Sequence, residues 1–144
     1  MSTEANKALV RRLLDEGFNA GNMALFDELL APDFANHDPS MPMAVDREGL
    51  KQWWMGMRAS FPDLHTGIEA LIAEGDLVMK RAIGKGTQTQ AFHGYPATGK
   101  TFANPTISIY RIVDGQIKEL WWGYDALGVL MQLGMIPQPE PARA

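Results

Sequence analysis

The sequence predicts an α+β domain in which three helices precede an antiparallel sheet. Over roughly the first sixty residues, apolar side chains recur at the three- and four-residue spacing of helices. From residue 63 onward, apolar and polar residues alternate instead, as they do along half-buried strands. Asp114-Gly115, between two such stretches, is a strong signal for a tight hairpin. A strongly curved sheet with helices on its concave side would enclose a cone-shaped pocket.

Each predicted helix has an apolar stripe and a recognisable end. The first covers residues 4–18, where the stripe is Val10, Leu13, Leu14 and Phe18. Asn22 can cap a second helix over about residues 23–30, which stops at Ala31-Pro32. Asp46 can cap a third, which ends at Phe61-Pro62 and has the stripe Leu50, Trp53, Trp54 and Met57.

The remaining segments divide into a loop, four strands and a short helix. Residues 31–45 are rich in Pro, Asn and Asp and are predicted to form an ordered loop. The predicted strands are residues 64–72, 77–90, 100–113 and 116–125. The apolar segment that follows predicts one or two helical turns, and residues 137–144 a flexible tail. Because no repeat or linker is present, residues 1–144 are predicted to form one domain.

The composition excludes several classes of protein. The formal net charge is −4, and no basic stripe of the kind that binds nucleic acid is present. There is no cysteine, which excludes a disulfide framework and thiolate chemistry. Charges interrupt the N-terminal segment throughout, so it resembles neither a signal peptide nor a membrane span. We therefore expect a cytoplasmic protein with no nucleic-acid or membrane partner.

Residues 94–101, Gly-Tyr-Pro-Ala-Thr-Gly-Lys-Thr, match the phosphate-binding pattern G-x-x-x-x-G-K-[ST] at every position. A working phosphate loop joins a buried parallel strand to a helix. Here the preceding residues are too polar for such a strand, and the following residues alternate like a strand and contain Asn104-Pro105. The octapeptide is therefore predicted to connect two antiparallel strands, with its glycines and proline supplying the turn geometry.

Asp125 is the first candidate for chemistry, because it ends a strand containing Trp121, Trp122 and Tyr124 and precedes an apolar segment. A carboxylate that loses water in such surroundings is suited to acid/base catalysis near neutral pH. The alternative is that Asp125 only caps the last helix. The residues leave these two interpretations evenly balanced.

The histidines are weaker candidates. His37, within Asn36-His37-Asp38, can hydrogen-bond a substrate carbonyl or orient a carboxylate, but it also fits a simple turn. His93 lies beside the Gly94 loop and can reach a pocket mouth, whereas His65 begins a strand. Their spacing matches no zinc motif, so no metal is predicted.

Several further residues are candidates for binding a ligand. Polar side chains on strands usually face solvent, and large aromatic side chains are usually core. Four tryptophans are nevertheless many for so small a domain, and some can wall a cavity for a flat, apolar ligand. The candidate residues are Trp53, Trp121, Asn104 and Tyr110. No pairing of a nucleophile with a base is legible.

The order of motifs resembles the SnoaL-like polyketide cyclases, which have the cone-shaped NTF2-like α+β fold. The resemblance covers about residues 5–136. Its motifs are Phe34-x-x-His37-Asp38-Pro39, Phe61-Pro62-Asp63, Gly94-x-Pro96-x-Thr98-Gly99-Lys100, Asp114-Gly115-x-Ile117-x-Glu119-x-Trp121 and Asp125-x-Leu127-Gly128-x-Leu130-x-Gln132-Leu133-Gly134. It implies that Asp125 is the acid/base of an intramolecular aldol closure and that His37, with Asn36, holds the developing oxyanion. It also implies no cofactor and a homodimer.

One departure from the family pattern leaves a second function open. The cyclases carry a further histidine on the strand before the last hairpin, whereas residues 101–113 offer only Asn104, Ser108 and Tyr110. We expect an acid/base enzyme acting on a small hydrophobic carbonyl compound. The alternative is a non-catalytic module of the same fold that binds a small molecule or mediates oligomerisation.

Overall fold

The computed structural model describes residues 2–92, 94–137 and 139–142. Within these residues, four α-helices and a π-helical segment pack against one five-stranded sheet. The helices are α1 (Thr3–Arg12), α2 (Ala24–Leu29), α3 (Arg47–Ser60) and α4 (Ala126–Gln132). The strands are β1 (Leu30–Asn36), β2 (His65–Glu74), β3 (Leu77–Thr87), β4 (Thr101–Val113) and β5 (Gln116–Tyr124).

The first helix forms where the apolar stripe predicts it, and its second half is a π-helix. The Ser2 hydroxyl caps α1 by accepting a hydrogen bond from the Ala5 N–H at 3.1 Å. The π-helical segment, Leu13–Asn19, follows without a break. Three of the four predicted stripe residues are no more than 1% exposed, so this stripe is buried in the core as predicted.

The third helix begins and ends as its sequence signals predict. The Asp46 carboxylate accepts a hydrogen bond from the Gly49 N–H at 2.7 Å, which is the N-cap geometry. The helix ends at Ser60, just before Phe61-Pro62. Leu50 and Trp54 are its buried residues, and Trp53 and Met57 are partly buried against the same core.

The prediction of a loop over residues 31–45 is wrong at its start, because Leu30–Asn36 form strand β1. This strand lies at the edge of the sheet and pairs in parallel with β5, with Leu30 opposite Ile117. The register is irregular between Leu30 and Ala35, which removes the alternation that would reveal a strand. An edge position also tolerates Pro32, which has no N–H to donate.

The sheet is otherwise the predicted antiparallel meander, with strand order β1-β5-β4-β3-β2. Its last hairpin turns at Asp114 and Gly115, whose φ angles of 51° and 74° are those of a tight left-handed turn. We call the helix-covered face of the sheet the inner face and the opposite face the outer face. Along β4 the even-numbered residues from Phe102 to Ile112 are buried on the inner face, and the odd-numbered residues from Thr101 to Ile109 are exposed on the outer one.

The octapeptide of residues 94–101 is a connection between β3 and β4, as predicted. Gly94 and Gly99 have φ angles of 78° and 69°, which side chains rarely adopt. The buried Gln88 side chain holds the loop from within, because its carbonyl oxygen accepts hydrogen bonds from the Thr98 N–H and hydroxyl at 3.2 and 2.8 Å. A strand, not a helix, follows the octapeptide, so its amides lack the helix N-terminus that a phosphate loop uses.

Candidate functional site

A cavity lined mainly by aromatic side chains lies between α3, α4 and the inner face of the sheet. Its enclosed part measures about 50 Å³, and the space that includes its open mouth about 530 Å³. The enclosed part holds roughly one or two water molecules. Its wall consists chiefly of Trp53, Trp54, Phe92, Phe102, Trp122 and Tyr124, with Asn104 and Thr106 as polar members. Such a wall suits a flat, apolar ligand with a few polar atoms.

Three wall residues separate this cavity from a groove on the protein surface. Trp53, Met57 and Phe92 line both the cavity and the groove. A ligand as large as an aromatic ring exceeds the enclosed space, so it must displace side chains on entering. The side chains shared by the two spaces are the ones that a ligand entering from the groove would have to displace.

Asn104 joins the cavity wall to Asp125. Its side chain is 5% exposed and lines the cavity, and its carbonyl oxygen accepts a hydrogen bond from the Asp125 backbone N–H at 3.2 Å. Tyr124, the residue before Asp125, and Val129, in the helix after it, also line the cavity. Asp125 therefore sits between two elements of the wall, at the rim of the cavity.

The Asp125 carboxylate is exposed and caps α4. Its Oδ1 atom accepts a hydrogen bond from the Gly128 N–H at 2.9 Å. Only glycine fits at position 128, because a Cβ atom there would overlap the Asp125 carboxylate. The sequence left capping and catalysis as alternatives for Asp125. The structure shows the cap, and within the described residues the second carboxylate oxygen, Oδ2, accepts no hydrogen bond.

A second carboxylate, Asp38, lies near Tyr124 of the cavity wall and was not predicted to belong to the site. It is 7% exposed, and its Oδ1 atom accepts hydrogen bonds from the Ser40 N–H and hydroxyl at 2.8 and 2.7 Å. Burial raises the pKa of Tyr124, the neighbouring Ser40 hydroxyl opposes this, and the Asp38 charge adds to it. Tyr124 therefore remains a protonated hydrogen-bond donor at neutral pH.

Asn36 is buried and fully engaged in the loop between β1 and α3. Its side-chain N–H donates to the Ala44 carbonyl at 3.0 Å, and its side-chain oxygen accepts from the Asp38 N–H at 3.2 Å. Both contacts fix the loop. Asn36 does not line the cavity.

His37 and Trp121 lie together on the outer face, away from the cavity. Their rings stack at a centroid distance of 5.0 Å, and His37 Nε2 is 3.2 Å from the Glu119 carboxylate. Hydrogen bonds from Arg111 and, more weakly, His37 lower the pKa of Glu119. The fold therefore does not bring His37 and Asp125 into one inner-face site.

The remaining predicted site residues divide between the wall, the core and the undescribed positions. Trp53 and Asn104 line the cavity. Tyr110 is 2% exposed and lies deeper on the inner face, where burial raises its pKa. His93 lies outside the described residues.

The sequence prediction selected Trp121 where the structure places Trp122 in the wall. If inward and outward side chains alternated without a break along β5 from the buried Ile117, Trp121 would lie on the inner face. The pairing of Ile112 with Ile117 and of Arg111 with Glu119 skips one residue of β5, which is a β-bulge. A shift of one residue exchanges the two faces, so Trp122 and Tyr124 point inward.

Within the described ranges, no three His, Asp or Glu side chains are grouped as a metal ion would need. Over the same ranges, no helix is both long and apolar enough to cross a membrane.

The α+β cone and its aromatic cavity define a class of protein, and comparison with known families identifies it. The family model of the SnoaL-like polyketide cyclases matches residues 8–133. The chain belongs to this family.

Two relatives and two solved structures place the chain within it. It is 31% identical to the aklanonic acid methyl ester cyclase DnrD of Streptomyces peucetius, over 98% of this chain and 97% of the relative. It is 29% identical to DauD of Streptomyces sp. strain C5, which has the same named activity, over 92% and 83%. The structure of IdmH from Streptomyces antibioticus, provisionally assigned as a polyketide cyclase, matches with a TM-score of 0.79 at 33% identity, over 90% of this chain and 98% of that one. A SnoaL-like protein from Jannaschia sp. CCS1 matches with a TM-score of 0.84 at 28% identity, over 94% and 95%.

Proposed function

We propose that this protein is a cofactor-independent enzyme that closes a ring in a small, flat carbonyl compound of the polyketide type. Asp125 acts as its acid/base. The observation that carries the proposal is the place of Asp125, between two elements of an aromatic cavity wall and linked to that wall through Asn104. The named activity of the two Streptomyces relatives supports this class of substrate.

The reaction needs only the transfer of protons. The free oxygen of the Asp125 carboxylate removes a proton from a carbon that lies between two carbonyl groups. The resulting enolate attacks a ketone carbon of the same molecule, which forms the new carbon–carbon bond and an alkoxide. The alkoxide then takes a proton back from Asp125. Product and substrate are isomers, so no oxidant or reductant is consumed.

The cavity contributes by holding the chain of the substrate folded. An enolate and a ketone held in contact react far faster than two free molecules, because the entropy of bringing them together has already been lost on binding. The Tyr124 side chain lines the cavity, and its hydroxyl, which stays protonated beside Ser40, is a candidate hydrogen-bond donor to a carbonyl oxygen. A catalytic role of His37 stays a prediction, and its position on the outer face gives that role no support.

The acid/base role of Asp125 can be separated from its capping role by a matched pair of variants. Asp46 caps α3 through the same contact with the third residue after it, so Asp46→Asn is the control for Asp125→Asn. Asparagine caps helices about as well as aspartate, so both variants should fold and retain the wild-type melting temperature within about 2 °C. With aromatic polyketide methyl esters as substrates, we expect Asp125→Asn to lose at least about a hundredfold in kcat and Asp46→Asn to keep wild-type activity.

Two results would contradict the proposal. One is wild-type turnover by Asp125→Asn, which would leave the residue as a cap. The other is the absence of turnover by the wild-type protein across the panel, which would favour a different function.

The second candidate function is a non-catalytic module that binds a small molecule. The observations that favour it are the small enclosed volume of the cavity and the absence of the Asp125 carboxylate from its wall. On this alternative, a ligand raises the melting temperature of the wild type and of Asp125→Asn equally, with no product formed by either.

We also propose that the protein is a homodimer that buries the outer face of the sheet. Four large apolar side chains are exposed there, at 59% for Ile72, 55% for Ile107, 37% for Ile109 and 36% for Trp121. Ion pairs of Arg81 with Glu69 and of Arg111 with Asp76 and Glu119 flank these side chains. A surface that carries both signs of charge around an apolar centre can complement a second copy of itself across a twofold axis.

A further inference from the structure

Lys80 is a buried amine on the inner face of the sheet, packed against the rings of Tyr110 and Trp122. It lies in the middle of β3 and is 3% exposed. Within the described residues, it forms no hydrogen bond or ion pair. Burial lowers the pKa of its ammonium group to about 7. A lysine in this position is costly for the fold, because its amine leaves water without gaining an acceptor.

Two more polar side chains lie in line with Lys80 on the next two strands of the sheet, β4 and β5. Lys80 pairs with Ser108 in β4, and Ser108 pairs with Trp122 in β5, so the three side chains form a row across the inner face. Within the described residues, the Trp122 indole N–H and the Ser108 hydroxyl are buried without a hydrogen bond of good geometry, although Ser108 lies close enough to Tyr110 to oppose the rise in the pKa of that residue. We call these three residues the donor row.

The donor row is adjacent to the aromatic cavity through Trp122. The Lys80 Nζ atom is 5.7 Å from the centroid of the Trp122 ring and 5.7 Å from that of Tyr110. Trp122 also lines the cavity, where its ring meets Trp53 edge to face at 5.5 Å. A ligand that enters beside Trp53 and turns the Trp122 ring would therefore reach the row.

The chemistry of the row selects an oxygen that carries negative charge. Ammonium, hydroxyl and indole N–H groups all donate hydrogen bonds, and an ionised oxygen accepts several at once. The other orphaned atoms in the described part of the chain, Asn6 Oδ1 and Asp38 Oδ2, are acceptors and lie on α1 and in the loop after β1. The surrounding rings fit a flat molecule.

We propose that Lys80, Ser108 and Trp122 form an oxyanion subsite that binds the ionised hydroxyl oxygen of a flat phenol or enol lying in the cavity. Lys80 enters the complex as a neutral amine and takes the proton of the ligand hydroxyl, which leaves an ammonium group paired with the ligand oxyanion. One O–H bond is broken and one N–H bond is formed. The subsite deepens the proposed function, because an enolised polyketide is such a ligand, but its test requires no turnover.

The probe is 4-nitrophenol, whose ionised form has its own absorbance band. The titration is made at about pH 7, where about half of the free 4-nitrophenol is protonated and Lys80 is partly neutral. We expect the band of the ionised form to grow as wild-type protein is added. Lys80→Met should weaken binding at least about tenfold and abolish the growth of the band, since it removes the proton acceptor. Ser108→Ala, a smaller change to the core, should weaken binding about threefold to tenfold.

Controls separate the subsite from general effects on the fold. Lys85→Met changes the same strand at an exposed position and should behave as wild type. The methyl ether 4-nitroanisole has no proton to give, so wild type and Lys80→Met should bind it equally. Asp46→Asn lies outside the cavity wall and should bind 4-nitrophenol as wild type does, and because this test needs no turnover, a failed cyclase proposal leaves its result unaffected.

Three outcomes would overturn the subsite. The first is a wild-type protein that binds no 4-nitrophenol at millimolar concentration. The second is bound 4-nitrophenol that stays protonated. The third is an ionised band that is as strong in Lys80→Met as in wild type. If the lysine variant does not fold, wild-type affinity of Ser108→Ala for 4-nitrophenol serves instead.

Discussion

Trp121 and Trp122 are neighbours in β5, yet they belong to surfaces of opposite character. Trp122 points inward, lines the cavity and meets the rings of Phe18, Trp53 and Trp54. Trp121 points outward, is 36% exposed and stacks on His37. The comparison teaches that residue type alone does not locate the site. The inner face combines enclosure with unpaired polar groups, whereas the outer face has paired charges around exposed apolar side chains.

The largest expected difference between the two faces is in stability. Trp54, on the inner side, is 2% exposed, donates a hydrogen bond from Nε1 to the Phe18 carbonyl at 2.9 Å and packs on the Phe18 ring. Trp54→Ala should lower the free energy of unfolding by about 3–5 kcal/mol, and Trp121→Ala by less than about 1 kcal/mol. Urea denaturation of both variants measures this. Equal losses would mean that the outer face is also buried, as in a tight dimer, and repeating the experiment at higher dilution would reveal it.

The second difference concerns pH. Burial alone lowers the pKa of Lys80 to about 7, while in the unfolded chain it is about 10.4. Between these values the unfolded chain holds a proton that the folded protein lacks, so stability rises with pH. From about pH 7 to about pH 9.5, wild type should gain on the order of 2–4 kcal/mol in free energy of unfolding, and Lys80→Met should gain little.

The window ends below pH 10 because of the tyrosines. Tyr110 faces Lys80, and burial raises its pKa as it does that of Tyr124. At a pH where these phenols ionise in the unfolded chain but not in the folded one, the free energy of unfolding falls. Lys85→Met, on the outer face of the same strand, is the matched variant and should retain the wild-type slope. A slope that persists unchanged in Lys80→Met would assign the pH dependence to other groups.

The smallest predicted effect is on association. Ile107 is 55% exposed at the centre of the outer face. Ile107→Glu should raise the dissociation constant of the dimer at least about tenfold, because a second copy would bury a carboxylate. Sedimentation velocity over a range of concentrations measures it, and Glu140→Gln, near the C-terminus, is a surface control. A wild-type protein that sediments as a monomer at high micromolar concentration would contradict the dimer.

The sequence predicted the helices and the meander from local signals, although the predicted Asn22 cap is wrong because α2 begins after Met23 without a side-chain cap. Asp46 and Asp114-Gly115 are such signals, and both have the expected geometry. Strand β1 was missed because its partner, β5, is distant in sequence and its register is irregular. No local pattern encodes a pairing of that kind.

The site was less predictable than the fold. Trp53 and Asn104 were selected because their residue types suit a pocket, and both line the cavity. Trp122 was missed because a bulge in β5 reverses the alternation. Lys80 gave no signal at all, because a lysine in a strand normally faces solvent and only the register of three strands reveals its unpaired neighbours.

The parallel pairing of β1 with β5 also constrains how the chain reaches its fold. Leu30 pairs with Ile117, which is distant in the sequence, so this edge of the sheet cannot form before the last strand is available. Contacts between segments that are distant in the sequence slow folding. The other strands of the sheet pair through hairpins between neighbouring segments, which form faster. We expect β2, β3 and β4 to assemble first and the early helices to dock late. Until then, the aromatic side chains that later wall the cavity stay accessible to chaperones.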